Sequence, residues 1–249
     1  MASPHAQLAR SARRGNVVLI LGVESATAQV GCAVGGHEGV LASTHSARGR
    51  RHAESLAPQI EFTLAQARVD ISEISVVAVD VGPGLFTGLR VGLSTAMATA
   101  FGLGVPMIGV SSLDLVAFPL RHTPRLIAAC IDARRGEVFT AFYRQVPGGL
   151  QRVTEPHVVT PDDLYAELQA ASTEAIVVGD GGLRYREQLS GITKVEIADE
   201  SLAYPSANSL VALAHARALR EDFVQPSEIA PLYLRRPDAE INWQTRPAV

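Results

Sequence analysis

Three carboxylates close apolar runs just ahead of turns: Glu24 after VVLILGV, Asp80 after VVAV and Asp132 after RLIAACI. Gathered into one cleft, such acids could hold a divalent cation against a phosphate group. Acids ending three strands are equally what a sheet with its loops at one edge supplies without any chemistry. Two glycine-rich loops add to the set, VGPGLFTG at 81–88 and GDGG at 179–182. A glycine loop that opens a helix suits an anion, because unpaired N–H groups and the helix dipole meet there. The first loop lacks the lysine that a P-loop requires. The second reads equally as a tight connection from a strand to a helix. His52 sits in HAESL, which is not HExxH, so a zinc-protease reading is removed. No nucleophile lies beside a base and no His/Cys set has ligand spacing. The residue types favour a protein whose function is its surface.

The central element that must position these groups runs from Val76 to Phe101. Val76–Val79 is a short run rich in β-branched residues, which predicts a buried strand ending at Asp80. Pro83-Gly84 supplies a turn, and Thr87 is a candidate N-cap. Leu89, Leu93, Met97 and Phe101 then recur every four residues, a helical pattern. Gly88, Gly92, Ala96 and Ala100 form a second stripe with almost no side chain. Glycine inside a helix costs about 1 kcal/mol relative to alanine, so the stripe implies a backbone in close approach. That neighbour is either this chain's own sheet or a partner helix. Val105–Val110 follows as a strand, which gives a β-α-β unit with parallel pairing.

Asn16–Val34 reads as strand, turn and strand, and Arg125–Tyr143 repeats the pattern, an acid closing the first strand in each copy. Two such openings predict an internally duplicated α/β architecture. Leu56, Ile60, Leu64 and Ala67 mark a helix that Pro58 places nearer Leu56 than His52 at its start. Ser111-Ser112 caps a helix at 113–120. Thr160-Pro161-Asp162-Asp163 starts another, with a hydroxyl cap, proline at the first position and acids on the positive end of the dipole. Ser206 opens a last helix over 208–220.

The 249 residues carry a net charge of −3, which gives no electrostatic case for gripping nucleic acid unaided. The basic cluster Arg48, Arg50 and Arg51 reads as a solvated loop or as a contact to an acidic partner or tRNA phosphate. Cys32 and Cys130 each lie in an apolar run and read as buried free thiols, in keeping with a reducing cytoplasm. Residues 1–16 are polar and aperiodic and read as a disordered tail, and the end after Arg235 reads as loose. Val17–Val23 is seven residues long before Glu24, too short to span a membrane, and reads as a core strand.

Four stretches carry a resemblance: GPGLFTGLRVG (Gly82–Gly92), PMIGVSSLD (Pro106–Asp114), IDARRGEVF (Ile131–Phe139) and PLYLR (Pro231–Arg235). In this order they resemble the TsaB family, also called YeaZ, and the likeness covers nearly all of Val17–Arg235. The resemblance implies an α/β, two-lobed, duplicated ribonuclease-H-like fold of the actin, sugar-kinase and Hsp70 kind (ASKHA). It implies a first lobe from 17–112 plus 206–235 and a smaller second lobe from 113–205. It implies a cytoplasmic, non-catalytic subunit that pairs with TsaD and meets the ATPase TsaE in making threonylcarbamoyladenosine in tRNA. Metal and nucleotide then belong to TsaD and TsaE, tRNA is met only through the complex, and the isolated chain forms a homodimer. Pairing through helices of the first lobe makes Gly88, Gly92, Ala96 and Ala100, with Leu56 and Leu64, the expected interface.

Two departures bear on chemistry. Where TsaD has an HxxxH metal pair, this chain has His52 and Leu56, so no metal is expected. Where nucleotide-hydrolysing members of the fold have Asp on the first strand, this chain has Glu24, better suited to bonding the Ser25–Thr27 turn than to a phosphate–metal site. The competing reading is a stand-alone ATPase or small-molecule kinase, with Gly82 and Gly84 at the phosphates and Asp132 or Glu24 at Mg²⁺. A third is direct tRNA binding through Arg48–Arg51.

Overall fold

The computed structural model describes residues 18–47 and 52–235. The tail at 1–16, the loop arginines 48–51 and the end after Arg235 lie outside the described residues. Two sheets are built to the same plan. In the first, β1 (Leu19–Glu24), β2 (Val30–Gly36) and β3 (Gly39–Ser46) form an antiparallel meander. The strands β4 (Val76–Gly82) and β5 (Met107–Ser111) then add in parallel beside β1, giving the order β3-β2-β1-β4-β5.

The second sheet repeats the plan with β6 (Leu126–Arg134), β7 (Glu137–Val146), β8 (Gly149–Arg152) and β9 (His157–Val159), followed by β10 (Ala175–Val178) and β11 (Val195–Ile197). Its order is β11-β10-β6-β7-β8, with β9 also on β7 and β6, β10 and β11 parallel. A meander feeding crossovers on the far side of its first strand, twice over, is the duplicated ribonuclease-H-like arrangement. The fold is ASKHA-like, in two lobes.

Helices cover the sheets where the apolar stripes demand. Helix α1 (His52–Ala67) and helix α2 (Phe86–Leu103) close one face of the first sheet, with Leu56, Ile60, Leu64, Leu93, Ala96 and Ala100 in one buried cluster with Leu21, Val77 and Met107. Pro58 lies inside α1 rather than in its first turn, and the helix begins at His52. Helix α3 (Ser112–Ala117) leaves the first sheet and packs on the second, its Leu113 and Val116 among Ile127, Ile131 and Tyr143. Asp114 anchors it there, accepting hydrogen bonds from Tyr143 Oη at 2.8 Å and Arg152 Nη2 at 2.6 Å.

Helix α4 (Pro161–Ala171) starts as its sequence predicts, Thr160 Oγ1 accepting the Asp163 N–H at 3.2 Å. Two short helices follow, α5 (Asp180–Arg184) and α6 (Arg186–Leu189). The last, α7 (Ala207–Ala218), returns to the first sheet and buries Leu210 and Val211 against Ile20, Ile108 and Val110. The two lobes therefore exchange helices. Both cysteines are buried free thiols.

The strand ends differ from expectation. Asp80 does not end its strand, because β4 continues to Gly82 with a bulge against β5. Asp132 lies two residues inside β6, at a bulge where its own Oδ1 accepts the Arg134 N–H at 2.9 Å. Thr87 is not the cap of α2. Leu85 holds that place without a side-chain bond, its N–H donated to Ala26 O at 2.7 Å, so the glycine loop is pinned to the β1–β2 turn instead. Gly84 permits this approach, since a Cβ there would lie closer than 3.0 Å to the Ala26 carbonyl.

Candidate functional site

The parallel register that sets Val23 beside Val79 makes Glu24 and Asp80 neighbours on adjacent strands. Both are sealed from solvent, at 0% and 2% exposure. Glu24 Oε1 accepts the Ala26 N–H at 2.9 Å, which is the turn-holding bond expected of a glutamate here. Asp80 Oδ1 accepts from the Gly82 N–H at 2.8 Å and from Ser112 Oγ at 2.6 Å. Among the described residues, Glu24 Oε2 and Asp80 Oδ2 have no hydrogen-bond partner.

Burial pushes the Glu24 carboxyl well above the usual range, the Asp80 charge adds to this, and the Ala26 N–H opposes it. Burial likewise lifts Asp80 to about 7 against the Ser112 and Gly82 donors, with Asp114 raising it further. Two adjacent buried carboxyls of this kind keep a proton between them at neutral pH. They tie the glycine loop, the β1–β2 turn and α3 together, out of reach of any substrate.

On the second sheet Asp132 is equally buried but spends both oxygens within the chain. Its Oδ1 holds the Arg134 N–H, and its Oδ2 meets Arg134 Nη1 at 3.1 Å and Arg184 Nε at 3.7 Å. Asp180, which the sequence reading passed over, accepts the Asp132 N–H at 3.0 Å. Burial lifts the Asp180 carboxyl to about 6. An acid neutralised by two guanidinium groups is a poor fit for Mg²⁺. Among the described residues no group of three or more His, Cys, Asp or Glu is placed to hold a metal. The GDGG loop packs on the β6 backbone, Gly181 lying against Cys130, Ile131 and Asp132, which is the tight-connection reading of that motif.

The expected interface residues are not on the surface. Gly88, Gly92, Ala96, Ala100, Leu56 and Leu64 all face the first-lobe core, so the close neighbour of the stripe is this chain's own β1–β2 turn. Ser25 Oγ donates to Gly88 O at 2.8 Å, and a Cβ at Gly92 would press on that same oxygen. Outward, α1 and α2 present a mixed face that includes open aromatic side chains. Phe62 is 55% exposed and Phe101 is 83% exposed.

Phe86 is exposed too, with Tyr233 against it at 5.6 Å between ring centroids and Arg90 over its face at 4.0 Å. This group was legible only through PLYLR, whose function is now visible as a strap. Leu232 N–H bonds Val81 O in the first lobe, and Arg235 donates to Ala133 O and pairs with Glu137 in the second.

A family model described as TsaD, tRNA N6-adenosine threonylcarbamoyltransferase, matches residues 40–243. The tRNA threonylcarbamoyladenosine biosynthesis protein TsaB of Haemophilus influenzae is 30% identical over 209 residues, 80% of this chain and 84% of that protein. The chain belongs to the TsaB (YeaZ) family. The TsaB of Escherichia coli is 28% identical over 92% of this chain and 98% of its own length. An uncharacterized Mycobacterium leprae protein, ML0378, is 35% identical over 89% of this chain, which spans only 56% of it. The solved structure of YeaZ from Pseudomonas aeruginosa superposes with a TM-score of 0.75 at 26% identity, covering 87% of this chain and all of that one. No helix among the described residues is long and apolar enough to cross a membrane.

Proposed function

We propose that this chain is the non-catalytic subunit that binds and activates TsaD for threonylcarbamoyl transfer to the adenosine beside the tRNA anticodon. The observation that carries the reading is the pair of open phenylalanines on α1 and α2, Phe62 and Phe101. Open aromatic side chains on two neighbouring helices are the kind of group that protein interfaces are enriched in. A partner helix is the cover that fits a helical face, and in isolation a second copy of this chain takes its place. The burial of Glu24, Asp80 and Asp132 supports the same reading from the other side, because none of the three carboxyls is open to a substrate. TsaE joins the assembly, metal and nucleotide belong to TsaD and TsaE, tRNA is met through the complex, and the setting is the cytoplasm.

The test is threonylcarbamoyl transfer to tRNA by TsaD and TsaE of the same organism, donor supplied, with and without this chain. Transfer that requires the chain, with no ATP turnover by the chain alone, supports the subunit reading. ATP consumption by the chain alone, abolished in Asp132→Ala and without effect on transfer, supports the ATPase or kinase reading instead.

A further inference from the structure

Glu24 and Asp80 each use one carboxyl oxygen and leave the other free, and the bonds they do make reach unusually far. Glu24 Oε1 accepts the Ala26 N–H at 2.9 Å, and Ala26 O in turn accepts the Leu85 N–H at 2.7 Å. Leu85 is the N-cap of α2, and its carbonyl accepts the Leu89 N–H at 2.9 Å. Asp80 Oδ1 takes the other arm, to the Gly82 N–H of the glycine loop and to the hydroxyl of Ser112, the first residue of α3. The seating of α2 and the passage into the second lobe both hang on these two carboxyls. Their remaining oxygens, Glu24 Oε2 and Asp80 Oδ2, are buried without a partner among the described residues. Strands β1 and β4 stay in parallel register up to Val23 and Val79, so the two acids follow on one face of the sheet.

An unpaired carboxylate oxygen in a sealed site is unfavourable, and two side by side add repulsion. One proton relieves both, because a protonated carboxyl donates to its neighbour's free oxygen and leaves one charge instead of two. From this geometry we propose that Glu24 and Asp80 form a proton-held latch on the start of α2. With the shared proton the β1–β2 turn, the glycine loop and α3 stay joined. Without it the two charges push the turn from the loop, the Ala26–Leu85 bond opens and the first turn of α2 loosens. The β1–β2 turn and the glycine loop carry no titratable side chain. Helix α3 adds Asp114, whose charge favours the protonated pair although Tyr143 and Arg152 hold it. Helix α7 keeps His215 and Arg217 in its last turn, where Arg217 bonds Gly109 O. Among the described residues no cation offsets either acid. Burial lifts Asp80 to about 7 and Glu24 well above the usual range, so the proton leaves between neutral and alkaline pH. On the subunit reading proposed above, a loosened α2 also pairs less well with TsaD.

The test follows the full-length chain by nuclear magnetic resonance from about pH 5 to about pH 9. In the wild type the Glu24 and Asp80 carboxyl carbons should titrate as a coupled pair, with the upper step near pH 7 or above. The Leu85 amide should move towards unbonded shifts with the same midpoint, and its protection from hydrogen exchange, corrected for the intrinsic rate, should fall at least tenfold. Glu24→Gln and Asp80→Asn should each remove the upper step and leave the Leu85 amide indifferent to pH. Carboxyls that each titrate singly below about pH 5 overturn the latch, and this needs no variant. So does a Leu85 amide that ignores the upper step, or one that responds equally in both variants. TsaD affinity, measured alongside, should fall severalfold across the same step in the wild type and stay level in Asp80→Asn. TsaD that binds at no pH counts against the subunit reading, whereas the latch stands or falls on the carboxyls and Leu85.

Discussion

Placing alanine at position 92 tests how α2 is seated. Alanine in a helix interior is favoured over glycine by about 1 kcal/mol, so on propensity alone Gly92→Ala should stabilise the chain. The geometry opposes this. The new Cβ would come closer than 3.0 Å to Ser25 Oγ, whose hydroxyl is buried and bonded to Gly88 O at 2.8 Å. Rotating Ser25 away breaks that bond at a cost of about 1 kcal/mol, and shifting the helix instead costs about 1–3 kcal/mol of overpacking. Set against the propensity gain, the net expectation is no stabilisation and up to about 2 kcal/mol of destabilisation.

Removing the oxygen should reverse the sign. Ser25→Ala alone costs about 1 kcal/mol, because Gly88 O keeps its helical hydrogen bond. In that background the Gly92→Ala Cβ meets Ser25 only at its Cβ position, 3.4 Å away, and next Val23 Cγ1 at 3.8 Å, both tolerable contacts. The second substitution should then stabilise by up to about 1 kcal/mol. Urea unfolding of the four proteins followed by far-ultraviolet circular dichroism completes the cycle. Equal destabilisation in both backgrounds, or a gain in the wild-type background, would refute the seating of this helix against Ser25.

Phe101→Asp should leave the unfolding midpoint nearly unchanged while abolishing both self-association and TsaD capture, read by analytical ultracentrifugation and co-purification. Asp80 gives a pH signature: its folded carboxyl is lifted to about 7 from an ordinary value of 3.8, so its contribution is fully present below pH 3.8 and is lost as pH rises towards 7. Asp80→Asn keeps an acceptor for Gly82 and Ser112 while removing the charge beside Glu24. It should flatten the stability profile between pH 4 and 7, a difference on the order of a few kcal/mol, and a profile as steep as wild type would contradict the assignment. Cys130 is sealed in the second lobe and burial pushes its thiol up to about 12, so iodoacetamide at pH 8 should leave it unmodified until urea unfolds the chain.

The duplication was legible because buried strands are written as apolar runs, and both hairpins could be found by their turns. The strand-end acids were legible as residues but not as roles. Sequence shows three acids before three turns. Only the register of β1 and β4 brings Glu24 and Asp80 side by side, and only the bulge in β6 turns Asp132 back onto Arg134. Asp180 escaped notice because a carboxylate in a glycine loop carries no signal of the backbone N–H it will accept.

The stripe of α2 expected at an interface faces the core instead, for a geometric reason. A helix turns about 100° per residue, so a series spaced by four drifts about 40° at each step. Leu89, Leu93, Met97 and Phe101 look like one stripe, but across three steps they drift about 120°. Leu89 and Leu93 are buried, Met97 is half-buried, and Phe101 has swung fully outside. Gly88, Gly92, Ala96 and Ala100 drift equally, yet their arc is centred on the core and all four stay inside. A helix that needed only its own lobe would have a polar residue where the apolar series leaves the core. This one keeps a phenylalanine, with Ala98 open beside Phe101 on the same turn, so the apolar surface runs on past what the first lobe can cover. On the proposed subunit reading, the partner surface is the continuation of the core stripe around the helix. The glycines set how deeply α2 sits in its own lobe, and in the proposed complex Phe101 is what remains for another chain.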